Sequence, residues 1–176
     1  IEPFAHYGFN KAHACSYGMV AYQTAYMKAN YPSEYMAALM TAESGDLEKI
    51  ASAVVECDRM GIRVLPPDIN ESLKRFTYVN DETIRFGLLV IKGLGEEVVG
   101  AIIQERKDHG EFKDLADFVG RINHRAFNKK SLEALIKAGA LDRFGERKQL
   151  LENMDRILLH NKSMQKQKDQ QQRTLF

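Results

Sequence analysis

Apolar residues recur every three to four positions through the first sixty residues, which predicts three successive amphipathic helices. Asn10 is a good N-cap for a helix running to about residue 30. Cys15, Met19, Tyr22, Tyr26 and Ala29 form its expected core face. Pro32 opens a second helix to about Ala42 with Tyr35, Met36 and Leu39 inward. Asp46 caps a third, whose buried stripe is expected to be Leu47, Ile50, Val54 and Cys57, and Gly61 stops it. The aromatic, glycine-containing stretch over 3–9 reads as a packed loop.

The pattern then changes. Val64-Leu65-Pro66-Pro67-Asp68 is extended and proline-broken, which marks an internal boundary. The runs Phe76-Thr77-Tyr78-Val79 and Thr83-Ile84-Arg85-Phe86 flank a short polar loop and predict a β-hairpin. Helices are expected over about 88–92 and 96–108, then from the Asp114 cap to about Ile122, over 131–138, and from Glu146 onward. From Gln165 the chain is a Gln/Lys tract expected to be frayed, ending in Gln172-Arg173-Thr174-Leu175-Phe176. The fold class is therefore mainly α, with a small β-hairpin.

The most informative segment is Val90-Ile91-Lys92-Gly93-Leu94-Gly95-Glu96-Glu97-Val98-Val99. Two glycines around one hydrophobe make a tight turn between two helices, because glycine takes φ > 0 without steric cost. Leu94 is expected to point into the helix pair. The loop amides and the start of the next helix then face an oxyanion. This reads as a helix-hairpin-helix, which grips duplex phosphates without reading bases. Lys92 stands beside the glycines. The basic run Arg121, His124, Arg125, Lys129 and Lys130 follows at a distance that suits phosphate tracking. The stretch Leu135-Ile136-Lys137-Ala138-Gly139-Ala140-Leu141 is a looser echo of the same pattern.

Composition adds little: 44% of residues are hydrophobic, 28% charged, and the net charge is +1, so a nucleic-acid surface must be a local patch. Cys15 and Cys57 have no metal-type spacing and suggest reduced thiols, hence a cytoplasmic setting. The five histidines show no ligand pattern, and no apolar run suits a membrane span. The chain opens at Ile1 without Met, which suggests a piece of a longer protein. Polymerisation by paired metal ions needs clustered carboxylates. The one acid-x-acid spacing is Glu56-Cys57-Asp58, read as solvated surface charge, so the segment alone is expected to be non-catalytic.

Tyr7-Gly8-Phe9-Asn10-Lys11-Ala12-His13-Ala14, then Tyr22-Gln23-Thr24-Ala25-Tyr26 and Tyr31-Pro32, resemble the alpha subunits of bacterial DNA polymerase III, the C-family replicative polymerases. The resemblance continues through Arg59-Met60-Gly61, Leu65-Pro66-Pro67-Asp68-Ile69-Asn70, Ile91-Lys92-Gly93-Leu94-Gly95, Ala138-Gly139-Ala140-Leu141-Asp142 and the terminal Gln172 to Phe176. Ala12 stands where the family more often has Ser, and Cys15-Ser16 where it has alanines. The resemblance implies the late fingers over 1–65, a clamp-binding domain with its helix-hairpin-helix over 66–164, and a flexible tail over 165–176.

It also implies incoming nucleotide near Asn10, Lys11, His13 and Tyr17, and primer-template DNA at Lys92, Gly93, Leu94, Gly95, Arg121, Arg125, Lys129 and Lys130. Gln172, Leu175 and Phe176 would engage the ring-shaped sliding clamp, the beta subunit. Mg²⁺ belongs to a palm domain lying elsewhere in such a polymerase, and no cofactor is expected in this segment. A different class of protein, a stand-alone DNA-binding adaptor with a partner-recruiting tail, would have no need of the fingers-like segment.

Overall fold

The computed structural model describes residues 11–122 and 127–173, and of residues 165–173 only the backbone. Helices α1 (Lys11–Asn30), α2 (Pro32–Ala42) and α3 (Leu47–Arg59) come first. Strands β1 (Arg63–Leu65), β2 (Thr77–Asn80) and β3 (Thr83–Arg85) follow. After a 3-10 turn at Leu88–Val90 come α4 (Glu96–His109), α5 (Leu115–Arg121) and α6 (Lys129–Ala138). A second 3-10 turn at Asp142–Phe144 leads to α7 (Arg147–Glu152) and α8 (Met154–Arg173). The chain is mainly α, as the periodicity indicated.

The predicted hairpin is present. β2 and β3 pair antiparallel with an irregularity at Tyr78/Asn80, and β1 adds to β3 in parallel, giving the order β1-β3-β2. The sheet thus joins strands from both sides of residue 65. Two apolar clusters form. One gathers Met36, Met40, Ile50, Cys57, Ile62, Phe76 and Ile84 between α2, α3 and the sheet. The other gathers Leu88, Leu94, Val99, Ile102, Phe112, Phe118, Leu132, Leu135 and Leu141 among the later helices.

The caps follow the sequence closely. The Asp46 carboxylate accepts from the Glu48 and Lys49 amides, and Asp114 accepts from the Asp117 amide. Gly61, at φ 74, ends the turn after α3. Asn128 and Ser131 form a reciprocal capping box at the start of α6.

Four expectations need correction. First, α1 buries none of its residues: Met19 is 55% exposed and Tyr22 67%. Its Lys28 reaches Glu56 at 2.7 Å, a contact that raises the lysine pKa and lowers that of Glu56, so Glu56 is paired rather than merely solvated. Second, Leu47 stands exposed at the first position of α3, and Ala53 takes its place in the stripe with Ile50 and Cys57. Third, the expected helix over 88–92 is only the short 3-10 turn, because Gly93 follows too soon for a second turn to close. Fourth, the Gln/Lys tract is helical through Arg173, in keeping with the good helix propensity of these unbranched side chains.

The segment 66–75 ties the two clusters together. Asn70 is buried, donating from Nδ2 to the Phe112 carbonyl (2.8 Å) and accepting from its amide (2.9 Å). The Ile69 amide donates to the Ala140 carbonyl at 2.9 Å. Arg106 donates to the carbonyls of Ile69 and Ser72, and Arg143 to the Asp68 carboxylate at 3.0 Å. At the other end, buried Asn161 of α8 donates to the Ile122 carbonyl at 3.1 Å and to that of Val119, which fixes α8 against the end of α5.

Candidate nucleic-acid interface

Gly93 adopts φ 97, the left-handed region the turn requires. Gly95 does not: it is the extended N-cap of α4 at φ −89. Only the first glycine is thus demanded by backbone angle. Gly95 instead keeps the helix entrance bare, since a Cβ built there would meet nothing within 4 Å. Leu94 is 9% exposed and packs in the second cluster, as its place between the glycines predicted. Its amide is engaged with the Ile91 carbonyl at 3.1 Å. The Gly93 and Gly95 amides have no acceptor among the described residues.

The looser echo at Gly139 has the same backbone sign, φ 85, but is closed. A Cβ there would lie 2.2 Å from Arg147 Nη2 and 2.9 Å from Asp142 Oδ2. Arg147 grips Asp142 through two bonds of 2.7 and 2.6 Å, and that hydrogen bonding holds the Asp142 carboxyl below its usual pKa. The Gly139 and Ala140 amides donate back to the end of α6. One hairpin is therefore open to an anion, while the other is filled by an arginine of its own chain.

The structure divides the predicted cations. Arg121 is engaged on all sides. Its Nε donates to Glu105 at 3.0 Å and Nη1 to Asp117 at 3.1 Å. Further bonds run to the carbonyls of Glu105, Gly110 and Glu111. The guanidinium stacks 4.4 Å from the Phe112 ring centre. Burial acts to raise the pKa of Asp117, but the Lys113 amide and Arg121 outweigh it and lower the value overall. The expectation of a phosphate-tracking Arg121 is thus corrected: acceptors brought from α4 and the loop after it consume its donors. Lys129 is drawn to Asp155 at 2.8 Å. Lys92 and Lys130 are exposed and have no partner among the described residues. Arg125 lies outside the described residues.

Lys11, His13 and Tyr17 share the exposed first turns of α1, where His13 and Tyr17 have ring centres 4.3 Å apart. No acid stands in that first turn. Asn10, Leu175 and Phe176 fall outside the described residues, as does the side chain of Gln172. Among the described residues no group of three His, Cys, Asp or Glu side chains is placed to hold a metal ion. No helix there is long and apolar enough to cross a membrane.

An open glycine turn held by a buried leucine, feeding a helix whose entrance is bare, defines a class, and comparison agrees: residues 61–151 match the helix-hairpin-helix motif family, to which this chain belongs. Outside that motif the similarity extends across nearly the whole chain. DNA polymerase III subunit alpha of Deinococcus radiodurans is 51% identical over 158 residues, which is 90% of this chain and 12% of that protein. The same subunit of Thermus aquaticus is 48% identical over 158 residues, 90% of the chain and 13% of the relative. That of Escherichia coli K12 is 46% identical over 153 residues, 87% and 13%. The chain thus spans 12–13% of the length of these relatives.

Proposed function

We propose that this chain is a DNA-holding segment of a replicative DNA polymerase, a DNA-directed nucleotidyltransferase, and that its open hairpin grips the phosphates of the primer-template duplex. The observation that supports this most directly is the contrast between the two glycine turns. The Gly93 amide has no acceptor among the described residues and its turn is open, whereas the Gly139 amide donates to Ile136 and its turn is filled by Arg147. A turn kept open next to a closed counterpart is the arrangement that an external anion would use. Similarity to polymerase subunits over nine-tenths of the chain supports the polymerase setting, and a cytoplasmic place goes with that reading. Mg²⁺ chemistry belongs to parts of the parent outside this segment.

The decisive variant is Gly95→Val. Position 95 has an ordinary φ and open space at Cβ, so the change leaves the fold intact and adds bulk where a phosphate approaches. Duplex titration by fluorescence anisotropy is expected to show clearly weaker binding, with only a small drop in melting temperature from valine being the poorer N-cap. Equal affinity for wild type and variant would reduce the hairpin to a structural turn.

Two finer readings belong here. In the full-length parent, Lys11 supplies a point charge and His13 a hydrogen-bond donor to the incoming nucleotide's phosphates, with Tyr17 one turn further on. The exposed, acid-free start of α1 supports this. Lys11→Ala and His13→Ala are each expected to raise the KM for nucleotide without changing primer-template affinity, and an unchanged KM in both removes the role. The terminal residues Gln172, Leu175 and Phe176 tether the polymerase to its sliding clamp.

A further inference from the structure

We infer that Lys28 and Glu56 are positioning residues for the nucleotide end of α1: their ion pair sets the angle at which that helix leaves the body. The inference rests on the reading of Lys11 and His13 as contacts to the incoming nucleotide. It begins with how little holds α1 in place. None of its residues is buried. Ser16, Thr24 and Asn30 turn their side chains back onto carbonyls of the same helix. A single residue, Tyr31, separates α1 from α2. Its φ of −136 and ψ of 59 lie outside the helical region, in keeping with the proline that follows. Two backbone bonds span the joint, from the Tyr31 amide to the Met27 carbonyl (2.8 Å) and from the Tyr35 amide to the Tyr31 carbonyl (3.0 Å). They leave the angle between the two helices to side chains.

The body beyond the joint is firmly held. Met36 and Met40 of α2 and Cys57 of α3 are at most 1% exposed and pack in one cluster. The buried Ser33 donates its hydroxyl to the Asp81 carbonyl, which ties the start of α2 to the hairpin between β2 and β3. Glu56 precedes Cys57 on α3 and so stands on a rigid wall. From there its Oε1 accepts from Lys28 Nζ at 2.7 Å, while Arg59 Nη1 lies 3.9 Å from Oε2. The pair borders a groove of about 340 Å³ floored by Met36, Leu39 and Ala53. Lys28 is three positions from Tyr31, and Lys11 is twenty. At about 1.5 Å per residue, α1 is a lever roughly 30 Å long, and a turn of about 10° at the joint moves Lys11 by roughly 5 Å. A contact close to the pivot therefore decides where the far end sits. With side chains 40% and 36% exposed, the pair is weak by itself, so it favours one position of α1 without locking it.

Steady-state kinetics on the full-length polymerase carrying this segment tests this. Glu56→Lys sets like charge against Lys28 and is expected to raise the KM for nucleotide roughly two- to fivefold, the size an exposed pair supplies. Saturating nucleotide draws α1 back into place, so kcat and primer-template affinity stay unchanged. The double variant Lys28→Glu/Glu56→Lys restores the KM. Glu43→Gln breaks the comparably exposed Lys49–Glu43 pair (2.8 Å), which involves no residue of α1, and leaves the KM as it was. A Glu56→Lys enzyme with wild-type KM, where Lys11→Ala has raised it, overturns the latch and leaves the nucleotide contact standing. A raised KM that the double variant fails to restore also overturns it, since charge pairing is then not the cause. Wild-type KM in both Lys11→Ala and His13→Ala overturns the nucleotide contact and the latch together.

Discussion

Replacing Arg121 with Met is expected to cost the fold roughly 3–5 kcal/mol, the range for removing one partner of a largely buried, hydrogen-bonded ion pair. The Arg121 side chain is only 14% exposed, and its guanidinium holds Glu105, Asp117 and three backbone carbonyls at once. Methionine keeps most of the stem packing over Phe112 but offers no donor. The part-buried Glu105 carbonyl, left without its partner, adds to the loss, while those of Gly110 and Glu111 are exposed and turn to water. In a chain of this size a thermal melt reads that as a drop of roughly 6–20 °C. Lys is expected to rescue little, because a single ammonium cannot reproduce the fork of contacts. The alternative, that Arg121 serves DNA, predicts an unchanged melting temperature and a shallower salt dependence of DNA binding, and that result would sink the structural assignment.

The second large effect concerns the end of the chain. Leu175 and Phe176 are adjacent large hydrophobes after a polar tract, and Gln172 precedes them by three. Burying two such side chains in a pocket of the clamp is worth roughly 3–6 kcal/mol before the cost of ordering the peptide is subtracted. The net contact in isolation is then weak. DNA held by the same molecule raises the effective concentration and makes a weak contact sufficient. A Leu175→Ala/Phe176→Ala double variant is expected to lose about a hundredfold or more in affinity for the purified clamp by calorimetric titration. Equal binding by wild type and variant would remove the tail from the mechanism.

Local signals in the sequence were legible where they act locally. Asp46, Asp114 and Gly61 punctuate helices where their chemistry says they should. Leu94 is buried for the reason its neighbours suggest. Period alone, however, finds a helix without saying where its partner is. The stripe along α1 reads as core, yet none of its residues is buried among the described residues. The cations show the same limit more sharply. Arg121, Lys129 and Lys130 look alike in a basic run, and acceptors from residues 105, 117 and 155 decide which of them is left available. Asn70 gave no signal at all, since its partner, the Phe112 backbone, is 42 positions away. The two glycines of the hairpin separate only once φ is known, because one answers to backbone angle and the other leaves the helix entrance bare.

The long reach of the 66–75 segment has a consequence for how the protein is made. Asp68 meets Arg143 across 75 residues, and Ile69 meets the carbonyl of Ala140. A ribosome adding about 5–20 residues per second needs roughly 4–15 s to supply those partners after the segment itself emerges. During that interval the polar groups of Asp68, Ile69 and Asn70 have water for company, and the second cluster lacks Leu132, Leu135 and Leu141. The cluster around α2, α3 and the sheet draws on residues 36–84 and is complete much sooner. Synthesis therefore supplies every residue of the first cluster early, while the second waits for its last strap before it closes.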